Sequence, residues 1–220
     1  MIKRLIFTTI SILLAFSSTA KTMEEIWSAM PDSIIPYIDH THRLEMTDFI
    51  KMGLKGDVDH SLGGKSEMDT ITSDYIHLTL NESVTMELKR LPWEGHDSLV
   101  CVVTTWKGPA EESKVKFYTQ EWRGVVVPNA FDGGDFPMLA SRLTQRPDTM
   151  SEDRYAHLRA MIDPVMLSAK MSVGDDGLRV SLSLPLLEAD DQRLLEPIMK
   201  PVELHWDGRS FKSKLEPTTM

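Results

Sequence analysis

Cysteine is nearly absent from this chain of 220 residues, in which Cys101 is the only one. A single thiol excludes both a disulfide framework and a zinc site built from several cysteines. Lysine and arginine form no cluster, and the formal net charge is −9. Because binding to nucleic-acid phosphates needs concentrated positive charge, we expect no nucleic-acid partner.

The numbers of glycine and proline are also low, with 12 residues of each, while 41% of the chain is hydrophobic and 26% is charged. This balance excludes a collagen-like or disordered chain and predicts a globular protein with a sizeable core. Cys101 lies within the apolar run 99–103, which is typical of a buried strand. We therefore expect its thiol to be a small core residue rather than a nucleophile.

The first twenty residues have the order of a secretory signal. Lys3 and Arg4 precede an apolar run over residues 5–16, and small residues follow it up to Ala20. This pattern predicts cleavage between Ala20 and Lys21, and a periplasmic or extracellular mature chain. The apolar run is shorter than the ~20 residues that a bilayer core requires, so we expect no stable membrane insertion.

A short amphipathic helix is predicted directly after the cleavage site. Thr22 and Glu25 have the spacing of a capping box, and Pro31 ends the pattern. Apolar residues recur at helical spacing between them: Met23, Ile26, Trp27 and Met30.

A second helix is predicted over residues 42–52. Gly53 is expected to end it, and Leu44, Phe49 and Ile50 are expected to be buried.

From residue 66 the hydrophobic period changes from 3.6 to 2, which indicates strands. The connections are short, so neighbouring strands are expected to pair antiparallel as a meander. The run 99–106 is the most apolar and is predicted to be a central strand. The same periodicity places Trp27, Trp106 and Trp206 on buried faces and leaves Trp93 in an exposed loop.

The second half predicts two further helices, behind Asp135 and Ser151, and strands over 165–173 and 178–184. Residues 188–196 fit either a helix or an exposed loop. Asp207 and Gly208 mark a hairpin that follows a strand ending at Trp206.

We predict one α+β domain over residues 21–220, with N-terminal helices packed on a large antiparallel β-meander. Its possible halves, 21–128 and 129–220, are expected to share a core.

The segment 62–66, Leu-Gly-Gly-Lys-Ser, resembles the end of a P-loop. The motif requires a glycine at position 59, where this chain has Asp59, and no strand is predicted before the segment. We therefore interpret it as a tight loop that enters the first strand, and we expect no nucleotide cofactor.

Three short patterns resemble metal sites. His40, His42 and Glu45 offer possible ligands at a helix start, where exposure is the default. Residues 132–135 and 174–177 combine glycine and aspartate, but lack the ligand spacing of a calcium loop and fit turns. The chain also has no Gly-x-Ser-x-Gly and no His-Glu-x-x-His motif. We assign no metal, cofactor or catalytic residue.

Several segments together resemble a family of secreted Bacteroidales proteins, the domain of unknown function DUF3256. The resemblance covers essentially the whole mature chain and implies no catalytic residues. Its segments are 30–37, 43–49, 62–66 and 88–92, followed by Phe117-Tyr118-x-x-x-Trp122.

The resemblance also implies a possible modification, because bacteria of that group O-glycosylate exported proteins at Asp-Ser/Thr followed by an aliphatic residue, Met or Thr. Such triplets place candidate acceptors at Ser33, Thr70, Ser98 and Thr149, all expected near solvent. Asp-Ser and Asp-Thr pairs also serve simply as turn and cap chemistry.

Without a catalytic constellation, we expect an exported, non-enzymatic binding or accessory protein. Its partner would be an apolar small molecule or another protein. Two alternatives remain: a carrier for an apolar or lipid ligand, and a hydrolase that acts on glycans through carboxylates.

Overall fold

A seven-stranded antiparallel sheet dominates the computed structural model, which describes residues 21–184 and 187–213. Each strand neighbours the next one along the chain, so the predicted meander is confirmed. Ala20 lies outside the described residues. The strands are β1 (Gly56–His60), β2 (Gly64–Ile71), β3 (Tyr75–Asn81), β4 (Val84–Leu91), β5 (Leu99–Lys107), β6 (Glu111–Thr119) and β7 (Gly124–Val125).

Strand β1 is not predicted by the sequence pattern, because Val58 is its only apolar side chain. The glycine-rich segment 62–66 forms the β1–β2 hairpin, in which Gly63 has a positive φ of 77°. The expectation that no strand precedes this segment is therefore wrong. The segment continues into an antiparallel strand, whereas a P-loop continues into a helix whose N-terminus holds phosphate.

Two helices, α1 (Met23–Ser28) and α2 (His40–Lys51), lie on one face of the sheet. The predicted capping box is present, since the Glu25 N–H donates to Thr22 Oγ1 and the Thr22 N–H donates to Glu25 Oε2. Two indole N–H groups then tie the helices in place. Trp27 Nε1 donates to Arg43 O at 3.0 Å and Trp122 Nε1 to Ile26 O at 2.7 Å.

Helix α2 begins two residues earlier than predicted, and its buried face is only partly the predicted one, since Phe49 and Ile50 are half-buried. Leu44 is exposed rather than buried, and Arg43 occupies the core position beside Met46. The Arg43 guanidinium donates to Ile38 O at 2.7 Å and pairs with Asp32 at 2.8 Å. A pattern that buries only apolar residues cannot identify this face, because its orientation depends on a buried, hydrogen-bonded arginine.

A four-stranded antiparallel sheet packs on the opposite face of the larger sheet, in the order β11-β10-β9-β8. The predicted helix behind Asp135 is a 3-10 helix, Phe136–Arg142, and the acidic segment is helical. The remaining elements are α3 (Glu152–Ala160), β8 (Met166–Met171), β9 (Gly177–Ser183), α4 (Ala189–Leu195), the 3-10 helix Glu196–Ile198, β10 (Val202–Trp206) and β11 (Phe211–Ser213).

Strand β5 is an interior strand buried on both faces, as predicted. Val100 and Val102 pack with the helices, while Leu99, Cys101 and Val103 pack in the core shared with the second sheet. Burial raises the pKa of the Cys101 thiol, so this group is a core residue. Residues from both predicted halves pack together in the core between the two sheets. The helices and the two antiparallel sheets confirm the predicted α+β fold class.

Candidate functional site

One end of the helix-bearing sheet face is left open. A groove of about 460 Å³ lies there, between strands β3–β6 and the segment 33–37 that connects the two helices. Its floor is apolar, with Leu80, Met86 and Val102 from three adjacent strands. The volume lies within the range of roughly 300–1,000 Å³ that small-molecule sites occupy. We call this feature the sheet groove.

The wall of the sheet groove contains Ile34, Ile35 and Tyr37. Burial raises the pKa of Tyr37, and a hydrogen bond with Asn81 only partly opposes it. The phenol is therefore neutral at physiological pH. Its ring also contacts the His60 ring, with centroids 4.8 Å apart, so this side chain is held in position.

Trp106 lines the groove and is 44% exposed, so the prediction that it is buried is wrong. Strand alternation does place it on the same face as Val102, as the sequence indicates. The helices do not reach this end of the face. A large aromatic side chain therefore borders an open apolar floor, an arrangement common at ligand sites.

Lys114 and Lys116 form the β6 side of the groove, where they lie opposite Thr104 and Val102 of β5. Neither lysine has an ion-pair partner within residues 21–184 and 187–213. Glu112 is the nearest carboxylate on the same strand face, at the outer end opposite Trp106. The groove thus carries unpaired positive charge in a chain of net charge −9.

Lys114 and Lys116 cannot be recognised as site residues from the sequence pattern alone. Alternation along β6 separates Lys114, Lys116 and Tyr118 from Val115 and Phe117, and lysines on one face normally indicate solvent. The available signal was that Trp106 shares a face with these lysines across a short hairpin.

A second candidate is Glu87, whose carboxyl is buried on the opposite face of the sheet. Burial raises its pKa, despite hydrogen bonds from the Tyr75 hydroxyl at 2.7 Å and the Met171 N–H at 3.3 Å. A raised carboxyl pKa is characteristic of general acids. Here, however, β8 covers the carboxyl, and the hydrogen bond to Met171 joins the two sheets.

Lys89 belongs to the same interface and is completely buried. Its ammonium pairs with Asp74 at 2.8 Å and lies 3.4 Å from the Val173 carbonyl oxygen. Partial burial alone would raise the pKa of Asp74, but hydrogen bonds from Lys89 and Thr72 lower it overall. The contacts of Lys89 with Asp74 and with the Val173 carbonyl are structural, so we assign the pair no catalytic role.

Trp93 is half-buried rather than freely exposed, and its ring stacks on His96 with centroids 3.9 Å apart. The carboxylates beside this stack have partners. Glu94 pairs with Arg209, and Asp207 accepts from the Arg209 and Ser210 N–H groups at 2.8 Å. These bonds brace the loop, and we assign no acid–base pair there.

The metal-like patterns occupy structural positions. His42 Nδ1 lies 3.0 Å from Asp39 Oδ1 in the cap of α2, while Asp132 pairs with Arg142 and accepts from the Ser213 hydroxyl. Asp175 caps the β8–β9 turn through the Gly177 N–H. In the described part of the chain, no three His, Cys, Asp or Glu side chains are close enough to hold a metal ion.

The four glycosylation candidates differ in exposure. Ser33 and Thr149 are exposed and Thr70 is half-exposed, as expected. Ser98 is buried, and its hydroxyl oxygen has no hydrogen-bond partner among residues 21–184 and 187–213. The expectation that Ser98 reaches solvent is therefore wrong, because the strand start it precedes packs into the shared core.

These features define an α+β protein in three layers, with helices on one face of a large sheet, a smaller sheet on the other, and an open groove beside the helices. The sequence profile of DUF3256, described as a protein of unknown function, matches residues 15–211. The chain belongs to this family, which confirms the resemblance drawn from the sequence.

Among solved structures, the fold is similar to a domain of an uncharacterized protein from Porphyromonas gingivalis W83. The TM-score is 0.72 at 20% identity, over 90% of this chain and 100% of that one. This likeness shows the fold alone. No curated protein matches the chain. Within the described residues, no helix has the length and apolar character needed to cross a bilayer.

Proposed function

We propose that the protein is an exported, non-enzymatic binding protein that holds its ligand in the sheet groove. The observation that carries this proposal is the exposure of Trp106 beside an apolar floor, at the end of the sheet face that the helices leave open. Scattered exposed side chains are ordinary, but here the aromatic ring adjoins a concave apolar floor. Such a concave surface removes more of a ligand from water than a flat one.

The chemistry of the lining supports binding rather than catalysis. Among the described residues, those that line the groove include no carboxylate, imidazole or thiol, the groups that supply most acid–base and nucleophilic catalysis. The buried Glu87 lies on the other face of the sheet, under β8. No observation favours the alternative of a glycan hydrolase, and a carrier of apolar ligands is a special case of the proposal.

Export is supported by the signal-like N-terminus and by the contacts of Lys21. Its backbone N–H donates to Gln120 Oε1 at 2.8 Å, and its ammonium pairs with Glu121 at 3.0 Å. Cleavage before Lys21 would replace this N–H with an α-ammonium group, which can make the same hydrogen bond. The described fold is therefore compatible with a chain that starts at Lys21.

Native mass spectrometry of protein purified from its own host tests the binding proposal. We expect a small molecule to accompany the wild-type protein, to be lost from Trp106→Ala and to remain with Trp93→Ala. The second variant is a matched control, because it removes an indole outside the groove. A wild-type protein that carries nothing and binds nothing from a panel of apolar and amphipathic compounds contradicts the proposal.

A further inference from the structure

Resting on the proposed binding function, we infer that the sheet groove takes an anionic amphiphile: a small molecule with one apolar chain and a single carboxylate or phosphate head. Two features of the lining define this class. The floor is apolar, and Lys114 and Lys116 are the only charged groups that the described part of the chain contributes to the lining.

The positions of the lysines argue for an anionic head. Residues i and i+2 of a strand point to the same side and lie about 7 Å apart, so both ammonium groups can approach one head group. Lysine is a compact, mobile point charge that suits either a carboxylate or a phosphate. Because both lysines lack ion-pair partners in the described chain, an anion would not have to displace an internal carboxylate.

The negative charge of the rest of the protein favours binding of an anion at the two lysines. A net charge of −9 repels anions from most of the surface, so an anion gains most where positive charge is concentrated. Glu112 lies on the same strand face, opposite Trp106 and beyond the residues that line the groove. The head is therefore favoured at Lys114 and Lys116, away from Glu112.

The apolar floor argues for a chain. Leu80 and Met86 line the groove on β3 and β4, away from the lysines, and Val102 on β5 lies between them and Lys116. Ile34 adds an apolar side chain from the helix-connecting segment. A head bound at β6 would direct its chain across β5 and β4 toward β3. Methionine in the floor adapts its shape to such a chain. The volume of about 460 Å³ fits one small molecule.

The test uses three probes with the same ten-carbon chain: decanoate, 1-decanol and decyltrimethylammonium. Acetate tests the head alone. Calorimetry with the purified protein measures affinity, and the fluorescence difference between wild type and Trp106→Phe reports binding at the groove. We expect decanoate to bind at least tenfold more tightly than the neutral and cationic probes, and acetate not to bind. The preference should weaken as salt is added.

The variants K114Q and K116Q should each weaken decanoate binding by about fivefold, the upper range for one solvent-exposed charge pair. Lys107→Gln is the matched control, since it removes the same charge from the adjoining β5 strand outside the lining. Its effect should stay within twofold. Circular dichroism checks that each variant is folded.

Each other outcome has a definite meaning. Equal affinity for decanoate and decanol, unaffected by the lysine variants but lost in Trp106→Ala, overturns the anionic ligand while the binding function stands. A cargo seen by native mass spectrometry, together with no binding of any ten-carbon probe, likewise overturns only the ligand class. A folded protein that carries no cargo and binds no probe overturns both.

Discussion

At the scale of single residues, the carboxyl of Glu87 accepts hydrogen bonds in the core but is destabilised there in its charged form. Its carboxyl satisfies the Tyr75 hydroxyl and the Met171 N–H, yet burial penalises its charged form. Because the pKa of Glu87 in the folded protein is raised above its unfolded value, the folded state takes up a proton at a higher pH than the unfolded state. Protonation of Glu87 therefore stabilises the folded state as the pH falls from the folded-state pKa to the unfolded-state pKa.

Replacing Glu87 with glutamine removes this proton linkage. We expect the free energy of unfolding of the wild type, relative to Glu87→Gln, to rise as the pH is lowered from 8 to 5. Urea unfolding at several pH values measures the difference. Glu112→Gln, which removes an exposed carboxyl from β6, should show a weaker dependence. A Glu87→Gln difference that does not change with pH contradicts the buried-carboxyl interpretation.

At the scale of the element, β8 is an edge strand that lies against the larger sheet. Edge strands present unpaired N–H groups, which native proteins must cover. Two N–H groups, spaced by two residues, meet side chains of the seven-stranded sheet. Ala169 donates to Ser113 Oγ at 2.9 Å, and Met171 donates to Glu87. Glu87 on β4 and Ser113 on β6 therefore connect the second sheet to the larger sheet by hydrogen bonds.

Ser113→Ala should lower the free energy of unfolding by about 1–3 kcal/mol, because it leaves the Ala169 N–H buried without an acceptor. The hydroxyl of Ser113 also contacts Thr105 Oγ1 at 2.7 Å, so Thr105→Val is the control. That change keeps the shape and leaves the Ala169 bond intact, and should cost less. Chemical denaturation measures the free energy of unfolding of both variants. An equal loss in both would assign the effect to the hydrogen bond between Ser113 and Thr105 instead.

The close approach of α2 to β1 depends on Gly56. A Cβ at this position would lie 2.7 Å from Met68 O and 2.9 Å from Ile50 Cγ1. Gly56→Ala should therefore destabilise the protein by about 1–3 kcal/mol, as overpacking usually does. Gly124→Ala is the control, because nothing lies within 4 Å of its added Cβ. Thermal unfolding separates the two, and an unchanged midpoint for Gly56→Ala would show that the helix can move aside.

For the whole molecule, the export proposal predicts where the mature chain starts. If the signal segment is removed after Ala20, Edman sequencing of protein from the periplasmic or extracellular fraction should begin at Lys21. Cleavage also removes Lys3 and Arg4, so the mature chain is more acidic than its precursor. Recovery of intact Met1 in a membrane pellet would contradict export by a cleaved signal.

Exposure decides which glycosylation candidates are open to an enzyme. If the mature protein carries O-glycans, we expect Thr149→Ala or Ser33→Ala to reduce its intact mass, because both hydroxyls are on exposed residues. Ser98→Ala should leave the glycan mass unchanged, since its hydroxyl is buried. A secreted wild-type protein with the mass of the bare chain from Lys21 to Met220 would end the glycosylation hypothesis.

Elements whose cause is local can be predicted from the residue pattern alone. Alternation at β3–β6 set the meander, since short connections allow only antiparallel neighbours. The capping box at Thr22 and the Ser151 cap of α3 are contacts within one helical turn. Cys101 was identifiable as a core residue because its whole strand is apolar.

Which surfaces are covered depends on how distant parts of the chain pack together. The sequence places Trp106 and Lys114 on one sheet face, but whether that face is open depends on where α1, α2 and the segment between them pack. The same holds for Leu44, whose exposure follows from the burial of Arg43. Periodicity reports which side chains share a face. Burial depends on contacts between residues far apart in the chain, which no local pattern contains.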